Sequence, residues 1–368
     1  MRMMAEQPVL VQKSKLTYID CDVHPWVNDI KQLHPYMPNS WSRRFANQRF
    51  NLNSLKLAER YVHPRGSTAR SDAKPPGGGY PGSDLGFMRE QYIDVYRPET
   101  VILIPQQANS LVSLVEPEQV MTLARAFNDF FIETWLPRHE SLRYAVTAPP
   151  HHPQKAAAEI RRVGARKGVA AVLLPLLNIL MGSGYYDPIY EAAVDMGLPV
   201  ITHPNGQEGS ALGAPVLAGG IQNTYNDRFV NLSQIAQSNL TSLIFDGTFE
   251  KFPALKVGFV EYGFTWLLPL LWKMDTVWKA LRIDTPWVKK APSEYVYEHV
   301  RFTTQPFEDV KPGDLNALIQ MMNGQDLLMY SSDYPHWDND MPTRVLRGLD
   351  EETKQKVLHF NARAFYRL

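Results

Sequence analysis

The chain has 368 residues, 44% of them hydrophobic and 21% charged, and its 38 basic residues balance its 38 acidic residues. This composition is typical of a globular protein, and the zero net charge argues against a nucleic-acid binder. No apolar stretch reaches membrane-spanning length, the first residues lack the apolar core of a signal peptide, and the single Cys21 cannot form an internal disulfide. We therefore expect a cytoplasmic enzyme with no membrane or nucleic-acid partner.

Eight short apolar runs follow one another along the chain, with helical patterns between several of them. The runs are KLTYID, ETVILIPQ, LRYAVTAPP, GVAAVLLP, LPVITHP, LKVGFVEYG, HVRFTTQ and DLLMYSSD. Residues 153–167, 187–197 and 312–324 have the periodicity of helices that end at Gly or basic residues. Continuous apolar strands separated by helices indicate a parallel sheet covered on both faces, and eight of them predict an α/β fold, a (β/α)8 TIM barrel.

Two segments interrupt this alternation. Residues 25–95 contain no clear strand and include a stretch rich in Pro, Gly and Ser, so we expect a long insertion after strand 1 within a single barrel domain over residues 1–368. Because the insertion begins next to Asp22 and His24, we expect it to cover the mouth of the barrel as a loop or cap region. Residues 205–240 begin with a second, Gly-rich loop.

Residues that can carry chemistry follow several of the predicted strands. In barrels of this type the active site lies at the C-terminal ends of the strands. Strand 3 is followed only by His151 and His152, and the other polar residues at strand ends are Asp22, His24, His203, Glu261, Gln305, Asp333 and His336. Imidazole and carboxylate groups suit a divalent metal such as zinc, manganese or iron. Asp22 and His24 are two residues apart, so an extended strand would point both toward one ion.

Each of these residues also has a purely structural explanation. Asp333 could cap a helix, His203 could belong to a turn, and Glu261 could form an ion pair. Their joint placement at the ends of different strands favours a metal centre. Side chains near them, among them Trp26, Tyr262, Tyr334 and Trp337, could line a pocket or simply pack. In the insertion, His63, Arg65 and Arg70 could bind a substrate carboxylate, although a solvated loop is the more common outcome.

These motifs resemble those of the amidohydrolase-related metalloenzymes, the branch that includes aminocarboxymuconate-semialdehyde and dihydroxybenzoate decarboxylases. The resemblance covers nearly the whole chain and rests on IDCDVHPW, VITHPNG, FDGTFEKFPALKVGFVEYGFTWLLPLLWKMD, YSSDYPHWD and HFNARAFYRL. It implies a (β/α)8 barrel with a catalytic metal, and by position it implies Asp22, His24, His203 and Asp333 as the ligands.

The chain departs from this family at Glu261, where the decarboxylases usually carry a histidine. An ionised glutamate only accepts hydrogen bonds and would repel a substrate carboxylate. Glu261 and His336 could instead hold a second cation, and the six residues would then resemble an O2-activating dinuclear site. A few members of the superfamily, including 2-aminoisobutyrate hydroxylase, are thought to use a Mn/Fe or di-iron centre. That enzyme pairs two related subunits and takes electrons from a reductase.

Three hypotheses follow. The leading one is a dinuclear Mn/Fe or di-iron hydroxylase of a small organic acid or amino acid, with Glu261, Asp333 and His336 as catalytic residues and an electron-transfer partner. The second is a mononuclear decarboxylase or hydrolase, with zinc as an alternative metal and Glu261 or His336 as general base. The third is a catalytically silent subunit of a heteromer. The overall expectation is one or two divalent ions per chain: about two Mn or Fe ions favour the first hypothesis, and one zinc ion favours the second or third. A homo- or hetero-oligomer with a related subunit is expected.

Overall fold

The computed structural model describes residues 17–55, 63–206, 208, 214–217, 220, 222–342 and 346–368. The expectation about a signal peptide concerns residues 1–16, which lie outside the described residues. Part of the Gly-rich loop after the fifth strand lies outside them as well.

The eight apolar runs form eight parallel strands, and each strand pairs with its neighbour in chain order. The strands are β1 (Ile19–Val23), β2 (Thr100–Leu103), β3 (Leu142–Thr147), β4 (Val169–Leu173), β5 (Val200–Thr202), β6 (Val257–Phe259), β7 (Val300–Thr303) and β8 (Leu328–Met329). The predicted (β/α)8 barrel is therefore confirmed. β1 extends three residues beyond the predicted end at Asp20, so Asp22 lies within the strand and not after it.

Backbone hydrogen bonds between the first and last strands close the barrel. The Cys21 amide donates to the Tyr330 carbonyl over 3.0 Å, and the His24 amide donates to the Tyr334 carbonyl over 2.8 Å. Closer to the C-terminal end, the Asp333 amide donates to the Asp22 carbonyl over 3.1 Å. Closure of the barrel therefore brings Asp22 and Asp333 together, although most of the chain lies between them in sequence.

Helices connect the strands, and the three stretches predicted as helices contain α6, α7 and α13. The α-helices of the described residues are α1 (Asn39–Asn47), α2 (Leu85–Met88), α3 (Asp94–Tyr96), α4 (Gln106–Asn109), α5 (Pro117–Thr134), α6 (Pro153–Val163), α7 (Asp187–Asp195), α8 (Tyr225–Asn231), α9 (Ser233–Phe245), α10 (Thr248–Lys251), α11 (Leu267–Ala280), α12 (Pro292–His299), α13 (Pro312–Met321), α14 (Gly324–Leu327), α15 (Glu351–Gln355) and α16 (Asn361–Tyr366). Two π-helical turns span Arg89–Ile93 and Lys356–Phe360. Among the described residues, none of the helices has the length and apolar content needed to cross a bilayer.

The interior of the barrel is filled by small and branched side chains. One apolar cluster draws Ile19, Ile102, Ile201 and Met329 from four different strands, and Phe365 of α16 packs with them. Side chains from strands around the whole barrel can meet only inside it. This packing supports the strand ends at which the polar residues lie.

Part of the 25–95 segment lies against the loop after β8. The Trp337 amide donates to the Thr68 carbonyl over 2.9 Å, and the Arg70 amide donates to the Pro335 carbonyl over 2.9 Å. The Trp26 amide donates to the Gly82 carbonyl over 3.0 Å. These contacts hold the segment at the C-terminal face of the barrel.

Candidate metal centre

Five buried side chains converge at the C-terminal ends of four strands. Each offers one ligand atom, and these atoms all lie within 4.8 Å of one another. The residues are Asp22, His24, His203, Glu261 and Asp333. Two histidines and three carboxylates form a donor set suited to a first-row divalent ion.

The two histidines present the same nitrogen to the centre of the cluster. His24 Nδ1 lies 2.8 Å from the Ile104 carbonyl oxygen, and His203 Nδ1 lies 2.5 Å from the Pro204 carbonyl oxygen. A carbonyl oxygen only accepts, so each Nδ1 carries the proton and donates it. Each Nε2 is therefore available as a ligand atom, and the backbone fixes the orientation of the ring.

Short contacts between the five residues show how closely charge is gathered here. His24 Nε2 lies 2.8 Å from Asp333 Oδ1 and 3.4 Å from Asp22 Oδ1. His203 Nε2 lies 2.7 Å from Glu261 Oε2 and 3.3 Å from Asp22 Oδ2. Asp22 thus lies between the two imidazoles, with one oxygen directed toward each.

Several atoms of the cluster lack an ordinary hydrogen bond. Both carboxylate oxygens of Asp22, His203 Nε2 and Glu261 Oε2 are buried without a hydrogen-bond partner among the described residues. A buried carboxylate without donors is costly. A divalent ion at the centre of the cluster would satisfy all four atoms, so the residues present fit the metal that the family implies.

The electrostatics also call for positive charge at this point. Although burial opposes a charged His203, the carboxylates of Asp22 and Glu261 raise its pKa well above the ordinary value. Burial raises the pKa of Asp333 to about 6, against the opposing effect of His24. Burial and the nearby Asp333 also raise the pKa of Glu261. In the absence of a metal, protons thus take the place of the cation.

Two of the five residues have an unusual backbone conformation. Glu261 has φ of 62° and Asp333 has φ of 61°, a region that side-chain-bearing residues rarely adopt. The Glu261 amide donates to Thr303 Oγ1 over 3.0 Å, and the Asp333 amide is held by the Asp22 carbonyl. Strained residues held in this way cluster at functional sites.

His336 lies beside the group of five and not within it. Its Nδ1 is 2.7 Å from Asp333 Oδ1, its Nε2 is 3.2 Å from Gln106 Oε1, and its ring stacks on His24 with centroids 4.5 Å apart. It therefore contacts one carboxylate of the cluster from the outer side.

Three further polar residues surround the cluster. Asp20, which the sequence analysis did not single out, accepts hydrogen bonds from Ser332 Oγ over 2.6 Å and from Tyr92 Oη over 2.5 Å, and burial raises its pKa to about 7. Gln305 Nε2 donates to Asp333 and to Asp338. Burial, followed by the charges of Asp333 and Glu261, raises the pKa of Asp338 to about 8. Asp20 could have been suspected from the DCD motif that it shares with Asp22.

A small pocket, partly open to solvent, lies next to the cluster. Its walls combine aromatic, charged and amide side chains, and they are formed by Thr68, Gln106, Pro204, Gly206, Tyr225, Arg228, Phe229, Leu232, Glu261, His336, Trp337 and Asp338. Arg228 forms a buried ion pair with Glu208. Ligand pockets typically pair an apolar wall with a few such polar groups.

Some residues suggested from the sequence lie at this cavity and others do not. His63 packs against Tyr225 with ring centroids 4.6 Å apart, and the Arg65 guanidinium lies 5.3 Å from the Trp337 ring. Arg70 is instead paired with Asp72 over 2.6 Å, so the suggestion that it binds a substrate carboxylate has no support here.

The remaining suggestions lie away from the cavity wall. His151 Nε2 lies 3.0 Å from the Leu114 carbonyl oxygen, and neither His151 nor His152 belongs to the ligand group found among the described residues. Tyr334 stacks on Tyr92 with centroids 4.9 Å apart, and Trp26 lies near Tyr80 with centroids 5.8 Å apart. These aromatic residues pack around the site.

The chain is similar to known proteins over almost its whole length. A family model described as amidohydrolase matches residues 19–368. The comparison with curated proteins gave no match.

Solved structures with this fold extend over almost the whole chain. The 5-carboxyvanillate decarboxylase of Novosphingobium aromaticivorans, complexed with manganese and 4-hydroxy-3-methoxy-5-nitrobenzoic acid, is 19% identical, with a TM-score of 0.70 over 99% of this chain and 100% of that chain. A 2,6-dihydroxybenzoate decarboxylase from Rhizobium is 16% identical, with a TM-score of 0.66 over 96% and 99% of the two chains. A dihydroxybenzoic acid decarboxylase from Polaromonas, with bound manganese and 2-nitroresorcinol, is 17% identical, with a TM-score of 0.66 over 96% and 97%. At these identities the likeness establishes the fold.

Proposed function

Since the chain belongs to the amidohydrolase family, we propose that it is a metal-dependent decarboxylase that holds one divalent ion and acts on a small carboxylic acid. The observation that carries this proposal is the spacing of the ligand atoms, which all lie within 4.8 Å of one another. Ligand bonds of about 2 Å place opposite ligands of one ion about 4 Å apart. The cluster therefore has the size of a single coordination sphere.

Four side chains would hold the ion: Asp22, His24, His203 and Asp333. Glu261 would either be a fifth ligand or leave that coordination position open to the substrate. When bound, the ion would supply a Lewis acid that polarises a substrate oxygen. Manganese is favoured because two of the decarboxylase structures described above contain it. The donor set of imidazoles and carboxylates suits manganese and iron as well as zinc.

The side chains of this protein supply the other requirements of decarboxylation. The reaction replaces a carboxylate by hydrogen, so a proton donor must reach the carbon that loses CO2. Glu261 and Asp338 both line the cavity, and burial raises the pKa of Asp338 to about 8. A carboxyl group that keeps its proton near neutral pH can donate it and does not repel a substrate carboxylate.

The cavity walls favour a substrate with a flat ring. Tyr225, Phe229 and Trp337 line it, and aromatic side chains pack well against a flat ring. The three solved structures described above are decarboxylases named for carboxyvanillate, 2,6-dihydroxybenzoate and dihydroxybenzoic acid. We accordingly propose an aromatic carboxylic acid as the substrate.

The proposal is tested by elemental analysis together with an assay for CO2 release from a panel of hydroxybenzoates and related aromatic acids. We expect about one manganese, iron or zinc ion per chain and release of CO2 in step with loss of the acid. Water-dependent cleavage of an ester or amide without CO2 would favour a hydrolase. A chain that binds one ion but turns over nothing unless a related subunit is added would support the silent-subunit hypothesis.

A dinuclear hydroxylase is the second candidate, and one contact favours it. His336 Nδ1 lies 2.7 Å from Asp333 Oδ1, so a small rotation would let both side chains bind a second ion beside the first. The cluster also holds three carboxylates, whose charge one dication does not fully balance. On this hypothesis Glu261 and His336 would be the ligands of the second ion, and a reductase would be the electron-transfer partner.

Glu261→Gln separates the two candidates because it keeps the shape of the side chain and removes its charge. A dinuclear centre should fall from two ions per chain to about one, and the wild type should consume O2 with substrate. A mononuclear centre should hold about one ion before and after the substitution, with only turnover reduced.

A further inference from the structure

Gln305 differs from an ordinary buried amide in what it contacts. Its side chain follows β7 and is completely buried. Its Nε2 donates to Asp333 Oδ2 over 3.1 Å and to Asp338 Oδ2 over 3.2 Å, whereas its Oε1 has no hydrogen-bond partner among the described residues. Asp333 as an ionised metal ligand only accepts hydrogen bonds, so the nitrogen end of the amide must face it, and this fixes the orientation of the amide.

Gln107 shows what a structural amide looks like in the same barrel. It is also buried, and both ends of its side chain pair with one backbone residue. Its Oε1 accepts from the Val27 amide over 2.7 Å, and its Nε2 donates to the Val27 carbonyl over 3.0 Å. Gln305 leaves its buried oxygen without a partner in the described part of the chain, which destabilises the folded protein. The hydrogen bonds from its nitrogen to Asp333 and Asp338 explain better why a glutamine stands here.

The two carboxylates joined by Gln305 belong to different parts of the site. Asp333 Oδ1 faces the ligand cluster and contacts His24 and His336, and Oδ2 is turned toward Gln305. Asp338 lines the cavity. One uncharged amide thus bridges the metal cluster and the cavity wall and keeps the two carboxyl groups at a set separation. A Lys or Arg could do so only by adding a charge.

We propose that Gln305 is a positioning residue, which holds Asp333 so that only Oδ1 faces the metal and holds Asp338 in place at the cavity wall. The inference rests on the proposed function, because it assumes that Asp333 binds a metal ion. Without the amide, Asp333 Oδ2 loses this donor in a fully buried setting, and the carboxylate is free to rotate away from the cluster. Groups that orient metal ligands in this way typically contribute 10- to 100-fold in metal affinity.

The test compares Gln305→Met with Gln107→Met. Each substitution removes one buried glutamine amide, after β7 in the first variant and in α4 in the second. Manganese binding to each full-length protein is measured by calorimetry, the bound ion is examined by electron paramagnetic resonance, and the melting temperature of each metal-free protein is recorded. We expect the Kd for manganese to rise about 10- to 100-fold in Gln305→Met, with an altered resonance spectrum. Gln107→Met should change the Kd less than about threefold, even where it lowers the melting temperature as much.

Gln305→Asn provides a second variant if Gln305→Met does not fold. It keeps the amide but is one methylene shorter, so it can reach one carboxylate and not both, and an intermediate Kd is expected. Equal manganese affinity in Gln305→Met and Gln107→Met, or wild-type affinity in Gln305→Asn, would overturn the positioning role while the proposed function stands. A wild-type protein that binds no manganese, iron or zinc would overturn both, and that outcome is recognised before any variant is made.

Discussion

At the scale of single residues, the site is built so that negative charge is oriented before a cation arrives. Main-chain carbonyls fix both imidazoles, and each turns its Nε2 toward a carboxylate. The Asp22 carboxylate lies between them and accepts no ordinary hydrogen bond from the described residues, although it is fully buried. This buried negative charge destabilises the metal-free protein, and it becomes favourable when an ion binds.

Asp22→Asn should therefore weaken metal binding strongly and lower the stability of the fold less. The amide keeps the size of the side chain but brings hydrogens to a point where two oxygens should face an ion. We expect the affinity for manganese to fall by at least about 100-fold. Asp314→Asn, an exposed residue in the first turn of α13, is the matched control and should bind manganese as the wild type does. Equal affinity in the two variants would remove Asp22 from the ligand set.

At the scale of elements, the inserted segment between β1 and β2 contacts the loops that carry ligands. We propose that residues 25–95 act as a cap over the cavity, because Thr68 lines that cavity and the stretch around it pairs with the loop after β8. Gly82 makes the closest approach. Its φ is 79°, and a Cβ added there would lie 2.3 Å from the His24 carbonyl oxygen. Only a glycine allows the segment to lie this close to a residue of the ligand cluster.

Gly82→Ala should disturb the metal centre from a distance. The added methyl group must displace the backbone of His24, so we expect the Kd for manganese to rise about tenfold and the protein to lose stability. Gly78→Ala is the control, because its φ of 88° imposes the same kind of strain but a Cβ there meets nothing within 4 Å. Its cost should be limited to about 1 kcal/mol of unfolding free energy, with metal affinity unchanged. Calorimetry and thermal unfolding of both variants distinguish the two effects, and equal metal affinity would argue against contact between the cap and the site.

At the scale of the whole molecule, the metal centre joins the first strand to the last. Asp22 belongs to β1 and Asp333 follows β8, and the hydrogen bonds that close the barrel run between the same segments. An ion held by both would reinforce the one strand pair that lacks a regular ladder. Stability and metal occupancy should therefore be linked.

Removal of the metal should lower the melting temperature. A ligand that binds only the folded state at 100 times its Kd adds about 2.7 kcal/mol, which corresponds to a shift of several degrees in a chain of this size. Thermal unfolding with and without a chelator measures the shift, and re-addition of manganese should reverse it. Asp22→Asn should show no response to the chelator. An unchanged melting temperature in fully metal-free wild type would contradict the linkage.

What the sequence determined by itself was the order of elements and the end of the barrel at which chemistry gathers. Eight apolar runs that alternate with helical patterns can be satisfied by a parallel barrel, because each run needs cover on both faces. In such a barrel all C-terminal strand ends lie on one side, so Asp22, His203, Glu261 and Asp333 had to lie at the same face. The ligand types could be predicted because they are a property of residue identity.

Only the tertiary structure decided how these side chains meet. Strand spacing along the chain does not reveal that closure brings Asp22 to Asp333, that Asp20 lies among Ser332 and Tyr92, or that Gln305 bridges two carboxylates. The same holds for His336, whose contact with Asp333 depends on the path of the loop after β8. Differences of a few tenths of an ångström in the distances between side chains decide which atoms can bind the same ion. They depend on backbone conformation at single residues, such as the positive φ of Glu261 and Asp333, which arises from packing across the whole barrel.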